Sequence, residues 1–458
     1  MSQLDRAALS ARAGQLAGEL GARGVDLVAL TFVDNSGIAR TKAVPLARFA
    51  AAAAWGVGAS NSFDFFGFND EIVPGEHSLG PVGDLRLHPD LDAVTVLAAQ
   101  PGWAWAPVTK YDQEGAPHPQ DQRGLALKAT ARLAERGYTA LLSFELEWVV
   151  TAEDSPDDLG GVRGPAYGFA RLSRHAAYLR AIVSTLDAQG VGVEQIHPEY
   201  AAGQFELSVA AADPVRAADV AVLARETIRV VSEQHGLRAS FTPKFAPSGV
   251  GNGGHVHVSV WEGERNLFAG GDGPFGLTSA AAAFAGGILR RLPALLAIGA
   301  PSVVSYLRLE PHHWAGVYQG WGLENRETPL RLIRGVAGNR DTAANLEVKC
   351  FDLTANPYLV VAALLAAGLG GVDERAGLPE PVDVDPGVLT EAERQARGLT
   401  RLPQSLTESV VAFEADAVLT GAFGAELATT LMELRRAEIE LFAGTSAKEI
   451  TETMRWTH

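Results

Sequence analysis

Four short segments of this chain alternate polar, mostly ionisable side chains with apolar ones, and no other feature narrows the choice of fold as far. Side chains on a β-strand point to opposite faces in turn, so residues two apart share a face. In Leu141 to Val150, Glu145 and Glu147 oppose Phe144, Leu146 and Trp148. In Gln204 to Val209, Gln204, Glu206 and Ser208 oppose Phe205, Leu207 and Val209. The run His255 to Val260 sets His255, His257 and Ser259 against three valines, and Leu346 to Cys350 pairs Glu347 with Lys349. Each strand alone also reads as the wet face of an antiparallel sheet. Together, and with Glu199 seven residues before Glu206, they read as one surface holding five carboxylates and two imidazoles. Carboxylates brought that close protonate unless cations lie between them. An oxygen-rich donor set with one or two histidines favours Mg²⁺ or Mn²⁺ over structural zinc, and such ions chiefly serve phosphoryl chemistry.

A site of this kind needs a large body behind it, and 458 residues with 47% hydrophobic composition supply one, with two domains as the default. Helical spacing from Leu4 to Leu20 is followed by the β-rich run VDLVALTFVD and a turn at Asn35-Ser36-Gly37. More strands are predicted between Asp84 and Ala99, and the aperiodic stretch Pro101 to Arg123 places the domain junction near 105 to 115. Beyond it, helices predicted at Gly124 to Arg136, Ser173 to Gln189, Pro214 to His235 and Ala280 to Leu292 alternate with short strands, an α+β or mixed α/β arrangement. Asp373 to Ser405 reads as a surface excursion, followed by two closing helices.

The charge balance of 38 basic against 54 acidic residues excludes a phosphate-backbone binder, so no nucleic-acid partner is expected. One cysteine, Cys350, leaves no internal disulfide; with no apolar signal core in MSQLDRAALSARAGQLAGEL, a cytoplasmic setting is expected. The apolar run Leu359 to Val372 is short for a membrane span and reads as a buried helix, so no membrane partner is expected. Two further signals bear on chemistry. Arg308, Arg326 and Arg331 offer rigid donor forks for carboxylate or phosphate, or are surface arginines. Gly249-Val250-Gly251-Asn252-Gly253-Gly254 permits close backbone approach to a ligand, or is a turn, and the absence of a Walker A motif gives no support to a P-loop.

The segments FELEW, HPEYAAGQFE, GNGGHVHVS, YLRLEPHHWAG, NRETPLR and LEVKCFDLTANPYL resemble, in order, the motifs of glutamine synthetases and γ-glutamyl-amide ligases, over nearly the whole chain. VDNSGIARTKAVP resembles that family's N-terminal β-grasp loop. The resemblance implies an α+β fold with a β-grasp domain over 1–110 and a catalytic domain over 111–458, built on a curved antiparallel sheet flanked by helices. It implies that Glu147, Glu199 and Glu206 hold one metal and Glu145, His255 and Glu347 another. Glu194, His257, Ser259, Arg326 and Arg331 would contact ATP. Asn252, Gly253, His255, Arg308 and Lys349 would position glutamate, while Trp314 and Tyr167 would face the amine. Asp34, Arg326 and Glu199 are the implied catalytic residues, with Asp34 serving a neighbouring subunit of a ring, commonly a dodecamer. The implied reaction makes γ-glutamyl phosphate from glutamate and ATP, with two or more Mg²⁺ or Mn²⁺ per site; an amine then displaces phosphate.

Departures from the resemblance steer the choice of amine. Trp314 stands where an ammonia-using enzyme carries an acidic lid residue, Lys349 and Asn345 stand where arginines are usual, and no tyrosine follows Tyr358 to be adenylylated. An aromatic in place of an anion favours a carbon-bearing amine. Ethanolamine leads, since a polyamine calls for further acidic groups along its length; nearby Glu310, or negative charge elsewhere, could provide these, so a polyamine stays open as an alternative. Ammonia, as in an ordinary glutamine synthetase, and a non-catalytic homologue are the other readings.

Overall fold

The computed structural model describes residues 4–78, 80–155 and 164–458. Six strands from the first quarter of the chain form one sheet: β1 (Leu27–Val33), β2 (Ala39–Pro45), β3 (Val57–Ser60), β4 (Asp84–Pro89), β5 (Thr95–Val96) and β6 (Trp103–Tyr111), in the order β2-β1-β6-β4-β3 with β5 beside β6. Its central pair, β1 and β6, runs parallel, as in a β-grasp. The preceding helix is Arg6–Ala22, started by the Asp5 carboxylate, which accepts from Ala8 N.

Nine strands form the second sheet: β7 (Thr139–Ala152), β8 (Val193–Pro198), β9 (Gln204–Val209), β10 (Leu237–Ser240), β11 (Val256–Glu262), β12 (Arg265–Asn266), then, beyond the separate pair of β13 (Tyr318–Gln319) with β17 (Thr400–Arg401), β14 (Trp321–Leu323), β15 (Leu330–Ile333) and β16 (Asn345–Val348). The order is β14-β15-β16-β11-β7-β9-β8, antiparallel except for the parallel β14–β15 pair. The long strand β7 is central because its alternation gives it two faces with different tasks. Phe144, Leu146 and Trp148 are buried beneath the sheet, where helix Pro214–Gln234 packs on β7. The Trp148 indole donates to Tyr178 Oη at 2.9 Å, so the one polar atom on that face is satisfied.

Helices Ser279–Gly299 and Pro357–Glu374 are long and apolar enough to span a membrane but pack against each other inside the core. Asn356 starts the second, its side chain accepting from Tyr358 N and Leu359 N with Pro357 at the first helical position. Its amide also donates to Val33 O and Asp34 O, tying the first sheet's turn to the core of the second body.

Helix limits differ from the sequence pattern in three places. The predicted Ser173–Gln189 helix is a short turn of helix, Phe169–Arg174, followed by Ala176–Ala188. The predicted Ala280–Leu292 helix runs on to Gly299 through Pro293. The two closing helices are four, Leu406–Ala415, Ala417–Phe423, Ala425–Leu441 and Ala447–Met454, because Asp416 and Gly424 each end one run and start the next, and Ser446 starts the last after the third ends at Phe442. The excursion after Asp373 is a buttress: Val382 N donates to Trp321 O, and His312 Nδ1 lies 2.8 Å from Asp385 Oδ2.

Candidate active site

Strand register assembles the polar face. Glu147 lies opposite Glu206, and Glu206 opposite His197, in one row across β7, β9 and β8. In a second row, His257 lies opposite Glu347 and Glu347 opposite Arg331, across β11, β16 and β15. The rows flank a cavity of about 720 Å³. Its walls include Glu145, Glu147, Glu199, Glu206, His255, His257 and Glu347, together with Arg308, Arg326, Arg331, Lys349, Tyr167 and Trp314. Thirteen of the residues singled out from the sequence thus meet in one place, brought from five strands and the loops between them.

Two groups of donors are close enough to hold an ion. Glu145, His255 and Glu347 form one, with His255 Nδ1 at 2.9 Å from Glu145 and 3.4 Å from Glu347. His197, Glu199 and Glu206 form the other, with His197 at 3.6 and 3.4 Å from the two carboxylates. Glu147 stands between the groups, with His255 Nε2 3.9 Å from Oε1 and its Oε2 accepting from Gly253 N at 2.8 Å and Gln204 Nε2 at 3.0 Å.

The two groups differ in charge balance. Burial works against the Glu145 and Glu347 carboxylates, but hydrogen bonds from His255 and His257 hold Glu145 well below its usual range, and Lys349 with the two histidines holds Glu347 at about 2. Burial likewise opposes a charged His257, yet Glu145 and Glu347 raise it to about 9. In the other group, burial, with the neighbouring Glu145, Glu147 and Glu199, lifts Glu206 to about 8 despite His197; burial and Glu147 raise Glu199 as well. The hydrogen bond to Glu206 raises His197 to about 9 against partial burial. Carboxylates that raise one another in an oxygen-rich set fit a bound divalent cation, which relieves their repulsion.

Cationic side chains line the same cavity, next to the acids. Arg308 is buried, its Nη2 donating to Lys349 O at 3.0 Å, while its Nη1 has no partner among the described residues. A buried, unpaired guanidinium nitrogen at a cavity suits a carboxylate from outside the protein. Arg331 bonds Glu347 and Glu324, and Lys349 bonds Glu347.

Five sequence-predicted residues lie off the cavity wall. Glu194 is exposed where β8 slips register between Val193 and Gln195, which takes it off the polar face. The Ser259 hydroxyl is buried and accepts from Trp261 Nε1. Asn252 serves the wall from behind, donating to Thr242 O and accepting from Gln204 Nε2. Gly253 brings its backbone against Glu147, and a Cβ there would lie 2.5 Å from His255 Nε2, so the close approach the glycines allow is to the protein's own site residues. Asp34 is fully buried away from the cavity, accepting from Ser36 N, Ile38 N and Arg40 Nε, so that this carboxylate holds its own turn.

The sequence reading passed over His197, although Gln195, His197 and Glu199 continue the period of two along β8. It saw Gln204 on the polar face without a task. Tyr200 and His313, both on the cavity wall, had no periodic signal.

Carboxylates, imidazoles and guanidinium groups lining a single cavity gather cations and anions together, the setting of a metal-assisted enzyme acting on phosphorylated or carboxylated substrates. The chain belongs to the glutamine synthetase family: residues 119–454 match the family described as "Glutamine synthetase, catalytic domain". It is 52% identical to the gamma-glutamylpolyamine synthetase GlnA3 of Streptomyces coelicolor, over 98% of this chain and 97% of that one. It is 30% identical to the glutamate–methylamine ligase of Methyloversatilis universalis, over 87% of this chain and 89% of that one. A solved GmaS/ADP complex superposes with a TM-score of 0.84 at 30% identity, covering 96% of this chain and 98% of that one.

Proposed function

We propose that this chain is an ATP-dependent ligase that joins the γ-carboxylate of glutamate to an amino group of a polyamine. In the first step a γ-carboxylate oxygen attacks the terminal phosphorus of ATP, giving γ-glutamyl phosphate and ADP. In the second, the amine's lone pair attacks the acyl carbon, phosphate departs with the bonding pair, and the nitrogen gives up a proton. Arg308 binds the glutamate carboxylate through its free Nη1, beside Lys349. Arg326 and Arg331 face the phosphates across the cavity, with His257 beside them. Glu145, His255 and Glu347 would hold one Mg²⁺ or Mn²⁺ ion and Glu147, Glu199 and Glu206 another, and such ions, when bound, offset phosphate charge.

Polyamine displaces ethanolamine as the leading amine. The observation that carries this is the near-full-length likeness to a gamma-glutamylpolyamine synthetase. Acidic groups of the kind whose scarcity favoured a monoamine lie next to residues of the cavity wall, which supports the reading. Glu327 Oε1 accepts from Trp314 N at 3.0 Å, and Glu310 lies 3.1 Å from His313, a wall residue. Tyr167, Tyr200 and Trp314 add ring surface on the same wall as Glu199.

The test is glutamate-dependent phosphate release with putrescine, spermidine, ethanolamine, methylamine and ammonium. Highest kcat/KM with a polyamine is expected. Ammonium or ethanolamine as the best substrate, or no turnover with any amine, overturns the reading. Assembly into a ring, implied by the family likeness, belongs to the same proposal, and mass photometry counts the subunits.

A further inference from the structure

Tyr200 directly follows Glu199, and its backbone is held with unusual thoroughness. Its N donates to Glu199 Oε2 at 2.9 Å. The buried Arg171 guanidinium donates from Nη1 to the carbonyls of Glu199, Tyr200 and Ala201 at 2.7, 3.2 and 2.9 Å, and from Nε to Gly164 O at 3.1 Å. The side chain, by contrast, is 47% exposed and projects along the cavity wall. There it meets Trp314 from the opposite loop, ring centroids 5.1 Å apart and planes 55° to one another. Trp314 has φ of +54°, a conformation that costs a large side chain energy and persists only where the surroundings hold it. Two rings held from separate loops therefore form one surface at the cavity mouth. The centroid spacing leaves no room for a chain between the rings, so a ligand must lie against the outer side of the pair.

We propose that Tyr200 and Trp314 act as a single recognition surface for the hydrocarbon chain and distal ammonium of the amine, with Tyr200 a specificity-determining residue; this rests on the organic-amine function proposed above. Methylene groups lose water against the rings and a distal cation meets their faces, neither of which ammonium can exploit to the same degree. Because each ring shapes the other's position, their contributions are coupled.

The experiment measures kcat/KM for putrescine and for ammonium, at saturating ATP and glutamate, in wild type, Tyr200→Phe, Tyr200→Ala, Trp314→Ala and the double alanine variant. Each single alanine variant is expected to lower the putrescine-to-ammonium ratio about tenfold, with Tyr200→Phe within about twofold of wild type. The double variant is expected to lower it about thirtyfold, short of the hundredfold that independent residues would give. An unchanged ratio in Tyr200→Ala, or losses that multiply fully, overturns the inference while leaving the polyamine reading intact. A wild type that uses no organic amine overturns that reading, and this inference with it.

Discussion

Replacing Gln204 with leucine separates the support of the site from its ligands. Gln204 is 1% exposed, and its Nε2 serves Glu147 Oε2 at 3.0 Å, Gly251 O at 2.9 Å and Asn252 Oδ1 at 2.9 Å while its Oε1 accepts from Ala201 N at 3.0 Å. Leucine fills similar space and makes none of these bonds. At about 1 kcal/mol net per buried hydrogen bond, with the two amide hydrogens shared among three acceptors, the loss of stability is roughly 2 to 4 kcal/mol. At about 2 °C per kcal/mol for a chain of this size, the melting temperature falls by roughly 4 to 8 °C. The second effect is on Glu147, which keeps only Gly253 N to orient it. Loss of a hydrogen bond that orients a metal-holding carboxylate costs about 10- to 100-fold in metal affinity. Calorimetric Mn²⁺ titration of the purified chain, beside a thermal melt, reads the two effects separately. A fall in melting temperature with Mn²⁺ affinity within twofold of wild type would show that Gln204 only packs, and that Glu147 is not organised for an ion.

Three shorter expectations follow from the same geometry. Glu147→Ala is expected to leave the chain folded by circular dichroism, since it removes a crowded charge, and to cut phosphate release to below roughly a tenth; exhaustive EDTA treatment of wild type should do the same. Arg308→Lys is expected to raise the KM for glutamate about 30-fold or more with the KM for ATP little changed, because the paired fork is lost and the charge kept. Burial holds Glu206 at about 8 in the fold against an ordinary 4.5, so its contribution to stability is full below pH 4.5 and is lost as pH rises through about 8. Melts of EDTA-treated protein at pH 6 and pH 9 should fall accordingly, and Glu206→Gln should flatten that fall.

The legible part of this site was what period two can carry. Glu145, Glu147, Glu206, His255, His257 and Glu347 each alternate with apolar residues along one strand, so local sequence alone places them on a common face. His197 followed the same rule, but β8 is short and ends at Pro198, and its alternation is broken at the slip beside Glu194. Gln204 was visible on its face without a role, because the role arises from Asn252 and Gly251, 48 and 47 residues away. The turn at Asp34 was legible, its burial was not. Arg435 and Asn356, which donate to Asn35 O and Asp34 O, lie 400 and 322 residues further along the chain. Tyr200 and Trp314 sit in loops, where position depends on anchoring contacts such as Arg171 and Glu327 and on no repeating pattern.

The two ion-holding groups follow from how the sheet distributes its cations. Glu145 and Glu347 sit among His255, His257, Lys349 and Arg331, so their charge is matched by the protein and they stay ionised with or without an ion. Glu147, on β7 itself, lies 3.9 Å from His255, whereas Glu199 and Glu206 lie to the other side of β7, where His197 is the one cationic side chain among the described residues that forms an ion pair with either. That side is also where Tyr167, Tyr200 and Trp314 stand and where the guanidinium groups of Arg308 and Arg331 make no ion pair with a carboxylate of the group. In the proposed reaction the amine enters beside aromatic surface and the ion-holding carboxylates, while the anionic ends of glutamate and ATP meet Arg308, Arg326 and Arg331 in the same cavity. The separation lets one cavity draw in substrates of opposite charge without either neutralising the groups the other requires.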